Sequence, residues 1–172
     1  MWAGESAILL CDGSNWFKVS GKTIPMACRM YRASSSQTGF TSGTIIKVQM
    51  TGGDGMAAMV DTGSYRALIK RTGMYEIAAA VLMDGSTYAS DVTNSYLRVI
   101  QNTNGDGGTG TVMEASKFVK ASVWSGPAQT SVLSLTLADN LTLWLAQNSG
   151  SSVKVYYGSA YTYLTVTEIP AW

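Results

Sequence analysis

Short turn sequences rich in glycine interrupt this chain so often that it has little room for long helices. Five of them are CDGSN (11–15), TGGDG (51–55), MDGS (83–86), NTNGDGGTG (102–110) and QNSGSS (147–152). The runs between these turns are short and rich in Val, Ile, Leu, Thr and Tyr, which favours strands over helices. Short strands at this spacing predict an all-β sandwich or barrel.

The segment ALIKRTGMYEIAAAVLM (67–83) is the one place where a helix competes with a strand, because it contains three consecutive alanines. Gly73 divides the segment, however, and Tyr75, Ile77 and Val81 fit an alternating face. We therefore predict a strand here. The twelve predicted strands span residues 7–10, 16–19, 26–31, 44–50, 65–70, 74–83, 96–100, 117–123, 131–137, 141–147, 153–157 and 161–168.

The best boundary in the chain is GKTIPM (21–26), where Gly and Pro occur together. We expect a small N-terminal β-hairpin at residues 1–22 and a jelly-roll domain at residues 23–172. Two antiparallel sheets packed face to face would form this domain. A chain of 172 residues is long enough for one such domain with a real core.

Three predicted strands carry apolar, small or aromatic residues on both faces, although a sandwich needs only one apolar face per sheet. Side chains alternate along a strand, so Leu164 and Val166 share one face while Tyr161 and Tyr163 share the other. Another part of the same chain could cover the second face, or surface aromatics could be placed there by chance. We favour contact with other copies of the chain, because charged residues are only 13% of the sequence.

Three segments resemble the trimeric jelly rolls of tumour necrosis factor and the complement globular head. TGMYEIAAAV resembles that family's Gly-x-Tyr strand, with Gly73 and Tyr75 in the matching places. SVLSLTLADNLTLWLAQ resembles two alternating strands joined by a short turn, and Asp139 and Asn140 stand where the family often has Gly-Asp. YTYLTVTEI resembles its closing strand. The resemblance covers residues 25–169 and implies a two-sheet, TNF-like jelly roll that assembles as a homotrimer.

The N-terminal stretch WAGESAILLCDGSNWFKVSG (2–21) is similar to a segment of bacteriophage tail fibres and tailspikes. It has Gly-Glu-Ser, an apolar strand, Asp-Gly-Ser-Asn-Trp and a second short strand, in that order. In such proteins this segment lies next to a β-structured stalk. The resemblance implies the C-terminal domain of a fibre or spike, which folds in the host cytoplasm and acts outside it on the virion tail. Such a domain holds three chains in register, contacts the bacterial surface, or does both.

A homotrimer would cover the second apolar faces. We expect an aromatic contact on the threefold axis, small residues that permit close approach there, and one carboxylate paired with a Lys or Arg of a neighbouring copy. Trp144, Tyr161 and Tyr163 would form the aromatic contact, Ala78 and Ala80 would permit the close approach, and Glu76 would be the paired carboxylate.

Exposed aromatic residues are the candidates for glycan binding, because aromatic rings pack on the apolar faces of sugars. Trp124 stands at the end of a predicted strand, just before a proline turn. Tyr156 and Tyr157 are adjacent, so they cannot both enter the core. Packing within the protein is the alternative for each residue. The expected ligand is a polysaccharide or receptor of the bacterial surface.

The sequence argues against an enzyme. It has no histidine and only two cysteines, which excludes Ser-His-Asp and Cys-His arrangements and the usual zinc sites. It also lacks a Walker loop and a Gly-x-Ser-x-Gly elbow. A glycosidase needs only two carboxylates, but most acidic residues here stand in turns beside Gly or Asn. We predict no catalytic residue, no cofactor and no metal, with the NTNGDGG loop (102–108) as the alternative for calcium.

The charge pattern excludes other partners. Net charge is +1 without a basic run, so no nucleic acid is expected. No stretch approaches the roughly 18 apolar residues of a membrane span, and the N-terminus lacks the features of a secretory signal. Cys11 and Cys28 are expected to be buried free thiols, with a disulfide between them as the alternative. Two alternative functions stay open: a secreted or cell-surface lectin-like or complement-like trimeric module, and a carboxylate-based glycan hydrolase.

Overall fold

The protein is described by a computed structural model at residues 5–11, 13–20, 24–84, 92–102, 110–119 and 124–170. These residues form fifteen β-strands and one 3-10 turn at Ala57–Met59, and they contain no α-helix. The strands are β1 (Ile8–Cys11), β2 (Trp16–Ser20), β3 (Ala27–Tyr31), β4 (Gln37–Phe40), β5 (Ile45–Lys47), β6 (Gly52–Gly55), β7 (Val60–Asp61), β8 (Arg66–Leu68), β9 (Gly73–Ala80), β10 (Val92–Gln101), β11 (Thr111–Val119), β12 (Ala128–Leu135), β13 (Asn140–Gln147), β14 (Val153–Val155) and β15 (Tyr163–Ile169).

Two antiparallel sheets pack face to face. The first has five strands in the order β12-β9-β15-β3-β6. The second has the order β11-β10-β13-β8-β7, with β5 also paired to β13. The small pairs β1-β2 and β14-β4 complete the described structure. Consecutive strands often lie in different sheets, so the chain crosses repeatedly over the core, and the predicted two-sheet antiparallel sandwich is confirmed.

The core lies between the sheets and is built from alternate residues of each strand. Tyr75 and Ile77 of β9 belong to the same fully buried cluster as Leu141, Leu143 and Leu145 of β13. This follows from the twofold alternation of side chains along a strand, which sends one set inward. The segment at residues 67–83 forms the end of β8 and the whole of β9 and contains no helix, so the predicted strand is present at Gly73–Ala80 as a central strand of the first sheet.

Three strands, β4, β6 and the two-residue β7, escaped the sequence analysis, and in β4 and β6 the reason is that glycine weakens strand propensity. In β6 the glycines are required by packing: a Cβ on Gly52 would lie 2.6 Å from the Tyr31 ring, and one on Gly53 would lie 2.4 Å from a Val60 methyl. The sequence QTGF of β4 gives a similarly weak signal. The predicted strand at residues 117–123 instead begins at Thr111, and residues 120–123 lie outside the described residues.

The N-terminal hairpin forms its own two-stranded sheet, in which Leu9 lies opposite Lys18 and Leu10 opposite Phe17. Glu5 connects the segment before this hairpin to the sandwich, because its carboxylate forms an ion pair with Arg71. The predicted domain boundary between residues 22 and 23 lies outside the described residues and stays a prediction.

The two cysteines are not joined. Cys28 is buried, and burial raises the pKa of its thiol to about 12. Cys11 is exposed on the hairpin, contrary to the expectation that both thiols are buried. Within the described ranges, no helix is long and apolar enough to cross a membrane.

Candidate functional site

Four aromatic side chains meet at the end of the five-stranded sheet where β9 ends and β12 and β15 begin. Tyr156 lies at the centre: its ring centroid is 4.4 Å from that of Trp124, 4.7 Å from Tyr157 and 5.6 Å from Tyr161. We call these four residues the aromatic cluster. The structure thus brings the three residues predicted for glycan binding together and adds Tyr161, which the sequence had suggested for a subunit contact.

The aromatic cluster is a surface feature. Trp124, Tyr157 and Tyr161 are 47%, 39% and 50% exposed, respectively. Among the described residues, most other large hydrophobic side chains are buried between the sheets. Several adjoining exposed rings with hydroxyl groups present both the apolar area and the hydrogen-bonding groups that a sugar needs.

The backbone around the cluster is held by neighbouring strand ends. The Tyr156 amide donates a hydrogen bond to the Leu82 carbonyl (2.8 Å), and the Gly158 amide donates to the Arg32 carbonyl (2.7 Å). Gly158 adopts φ +119°, and a Cβ there would lie 2.8 Å from the Tyr161 ring. Only glycine fits this turn without strain, and the absence of a Cβ leaves room for the Tyr161 ring. The pairing of Gly158 with the aromatic residue three positions later is the sequence signal that could have placed Tyr161 here.

The hydroxyl of Tyr156, at the centre of the cluster, is neutral at ordinary pH because its pKa is raised. Burial raises the pKa of Tyr156, and the neighbouring Tyr157 hydroxyl raises it further. A neutral phenol both donates and accepts hydrogen bonds, as sugar hydroxyls also do. The cluster is therefore suited to an uncharged polyhydroxylated ligand.

A second surface is the outer face of the five-stranded sheet, on the side away from the core. We call it the outer sheet face. It mixes small, apolar and hydroxyl-bearing residues with the charged Glu76 and Arg29, and three of its apolar residues, Met74, Val132 and Ile169, are 45%, 51% and 37% exposed. The residues of this face are Ala128, Thr130, Val132 and Ser134 of β12, Met74, Glu76, Ala78 and Ala80 of β9, Tyr163, Thr165, Thr167 and Ile169 of β15, and Ala27, Arg29 and Tyr31 of β3.

Four of the residues predicted for a trimer contact share the outer sheet face: Ala78, Ala80, Glu76 and Tyr163. Tyr163 is partly covered by Arg29, whose guanidinium carbon lies 4.3 Å from the ring centroid. This cation–π contact was not predicted from the sequence.

Trp144 does not lie on the outer sheet face. It belongs to β13 in the other sheet and is only 5% exposed. Its indole N–H donates to the Thr142 hydroxyl (2.9 Å), and Lys47 lies directly opposite it on β5. The expectation that Trp144, Tyr161 and Tyr163 form one aromatic surface is therefore corrected. The second apolar face of β13 is covered by its own chain, as the alternative interpretation of the pattern allowed.

Several carboxylates of the described residues form ion pairs or hydrogen bonds with groups of the same chain. Glu168, predicted on a strand, is buried and paired with Arg71, and Glu114 is paired with Arg98. Asp139 is buried in a turn, where burial raises its pKa but hydrogen bonds from Asn102 and Thr136 lower it more, so that it stays ionised. No group of three acidic or cysteine side chains in the described ranges is placed to hold a metal ion. Most of the NTNGDGG loop lies outside those ranges.

Neither a protein-family model nor a curated protein sequence matches this chain. Solved structures match it in fold. Murine APRIL superposes with a TM-score of 0.57 and 14% identity, covering 85% of this chain and 100% of that one. The Eiger TNF structure from S. frugiperda gives a TM-score of 0.58 and 7% identity, covering 86% and 94%. The globular domain of the zebrafish complement 1qA protein gives 0.54 and 14%, covering 85% and 98%.

The fold is a TNF- and C1q-like jelly roll. At these identities the likeness establishes the fold alone. The jelly roll predicted from the sequence is confirmed, and so is the resemblance to the tumour necrosis factor and complement folds. The resemblance of the N-terminal stretch to tail fibres stays a prediction.

Proposed function

We propose that this chain is a non-catalytic, homotrimeric binding domain at the C-terminal end of a bacteriophage tail fibre or tailspike. Its ligand is a glycan of the bacterial surface, and it acts on the virion tail outside the host cell in which it folds. The observation that carries the binding function is the aromatic cluster. Four adjoining rings, three of them more than a third exposed, contribute little to the core, so their area is available to a ligand.

The assembly follows from the outer sheet face. A TNF-like jelly roll whose outer sheet face carries alanines and the exposed Met74, Val132 and Ile169 has a surface suited to contact with further copies. Three copies would present three aromatic clusters, and the binding of three weak sites to a repetitive polysaccharide would be strengthened by multivalency. The tail-fibre context rests on the N-terminal stretch at residues 2–21.

A complement-like module of a secreted or cell-surface protein is the second candidate, and the likeness to the complement 1qA globular domain favours it. The sequence upstream of the fold separates the two candidates. A β-structured stalk supports the phage assignment, whereas a collagen-like Gly-x-y repeat supports the complement-like one.

We expect that Trp124→Ala weakens glycan binding by about tenfold or more, because it removes an exposed aromatic anchor. The measurement is binding to an array of purified bacterial surface polysaccharides. Leu137→Ala is the matched control, since Leu137 is 63% exposed and lies outside the aromatic cluster. Equal binding by wild type and Trp124→Ala, with the assembly intact, would remove the cluster from the binding site.

A further inference from the structure

Asp84 lies beside the aromatic cluster, in a short ladder that connects two of its segments. The residue before it, Met83, pairs antiparallel with Ser125 on one side and with Val155 on the other. The Met83 amide donates to the Ser125 carbonyl (2.9 Å), which fixes this register. In an antiparallel ladder the next pair along is Asp84 with Trp124, a non-hydrogen-bonded pair whose side chains stand close together. A carboxylate therefore stands next to the indole ring of the cluster.

The side chains of this ladder alternate between the core and the surface. Met83 and Val155 are fully buried, whereas Trp124 and Tyr156 belong to the surface cluster. Asp84 and Tyr156 each follow one of the two buried residues, so both lie on the surface side with Trp124. The carboxylate, the indole and the phenol therefore share one face of the protein.

Asp84 gives this face a negative charge. The residue is only 9% exposed, so water and salt screen its charge less than they screen an exposed carboxylate. Burial raises the pKa of Tyr156, and the charges of neighbouring groups, among them Asp84, raise it further. This direction agrees with the position of Asp84, because an anion close to a phenol makes a second negative charge unfavourable.

Cationic residues also lie near the cluster, but they are placed differently. Arg32 is buried, and its guanidinium donates to the Ser35 carbonyl (2.6 Å) and to the Gln49 carbonyl (3.0 Å). Lys154 lies opposite Asp84 on β14, where its carbonyl accepts a hydrogen bond from the Asp84 amide (2.9 Å). The Lys154 side chain is exposed, so salt weakens its attraction for an anion. The buried carboxylate is thus the stronger influence on a ligand at the cluster.

We propose that Asp84 determines the specificity of the aromatic cluster, which takes an uncharged hexose and rejects a hexuronic acid. The apolar face of the sugar packs on the exposed indole of Trp124, and adjacent sugar hydroxyls donate to the Asp84 carboxylate. A hexuronic acid would bring a second carboxylate against the first, and the two like charges would repel each other. The inference rests on the proposed glycan-binding function and names the class of sugar.

The test compares matched sugars as competitors for the binding of the wild-type protein to bacterial polysaccharides. The neutral probes are the methyl glycosides of glucose, galactose and mannose, and each is paired with the methyl glycoside of its own uronic acid. For the configuration that competes best, the neutral sugar is expected to inhibit at a concentration about tenfold or more below that of its uronic acid. Because Asp84→Asn removes the charge and keeps the size of the side chain, it should reduce this ratio to about threefold or less.

Glu114→Gln is the matched control, since it removes a carboxylate from the other sheet, and circular dichroism establishes that each variant is folded. A ratio that falls in Asp84→Asn and stays in Glu114→Gln supports the inference. A wild-type protein that binds the uronic acid as well as the neutral sugar overturns it, even if Asp84→Asn does not fold. A folded Asp84→Asn that keeps the wild-type ratio also overturns it, and both outcomes leave the proposed function standing. A wild-type protein that binds no polysaccharide overturns the proposed function and the inference with it.

Discussion

Replacing Trp144 with alanine is expected to lower the free energy of unfolding by about 3–5 kcal/mol, as usual for deleting a buried aromatic ring. The ring is only 5% exposed, its N–H is bonded to Thr142, and Lys47 of β5 lies beside it. Its loss would open a cavity and leave the Thr142 hydroxyl without this donor. Chemical denaturation followed by circular dichroism measures the effect.

Trp124→Ala is the matched control, because it deletes the same side chain from a surface position. Trp124 is 47% exposed and contacts the edge of Tyr156, so its loss is expected to cost about 1 kcal/mol or less. Trp144→Ala should therefore lower mainly the stability of the protein, whereas Trp124→Ala should lower mainly its binding to glycans. A larger loss of stability for Trp124→Ala than for Trp144→Ala would contradict the placement of both residues.

Glu168→Gln is expected to lower the free energy of unfolding by about 2–4 kcal/mol, toward the lower end for breaking a buried ion pair because Arg71 keeps some contact with water. The Glu168 carboxylate accepts a hydrogen bond from the Met26 amide (2.9 Å) and pairs with Arg71 (3.0 Å). Arg71 also pairs with Glu5, so this group connects the last strand, the turn before β9 and the segment before the hairpin. Removing one charge leaves Arg71 only partly compensated.

Glu114→Gln is the control for this change. Its ion pair with Arg98 lies on the exposed β10-β11 edge, where the Glu114 side chain is 42% exposed. An exposed ion pair is worth less than about 1 kcal/mol, and salt reduces it further. Similar losses for the two variants, measured by denaturation in the same buffer, would argue against a structural role of the Arg71 group.

The sequence was sufficient to predict the fold class because the alternation of side chains and the spacing of turns are local properties. It was less informative where contacts between distant parts of the chain determine the local structure. The glycines of β6 read as a turn, yet they form a strand because neighbouring side chains occupy the space beside them. Glycine in the sequence thus indicated a turn at a place where the structure has a strand.

The candidate site was predicted in part. The adjacency of Tyr156 and Tyr157 forces one of them outward, and that rule succeeded. The same alternation rule failed for Trp144, because an apolar outer face does not reveal whether another strand of the chain covers it. The residue directly opposite, Lys47, lies far from Trp144 in the sequence, and its pairing with Trp144 becomes visible only in the register of β5 on β13.

The most direct test of the account is the mass of the wild-type protein in solution, measured by light scattering during size-exclusion chromatography. The account predicts a single species with three times the 18.3 kDa mass of the chain, stable on dilution. Such a species would require that the outer sheet face, or a surface of similar size, be buried between copies. A monomer at every concentration would contradict the account, since the outer sheet face of the five-stranded sheet would then have no partner of its own kind.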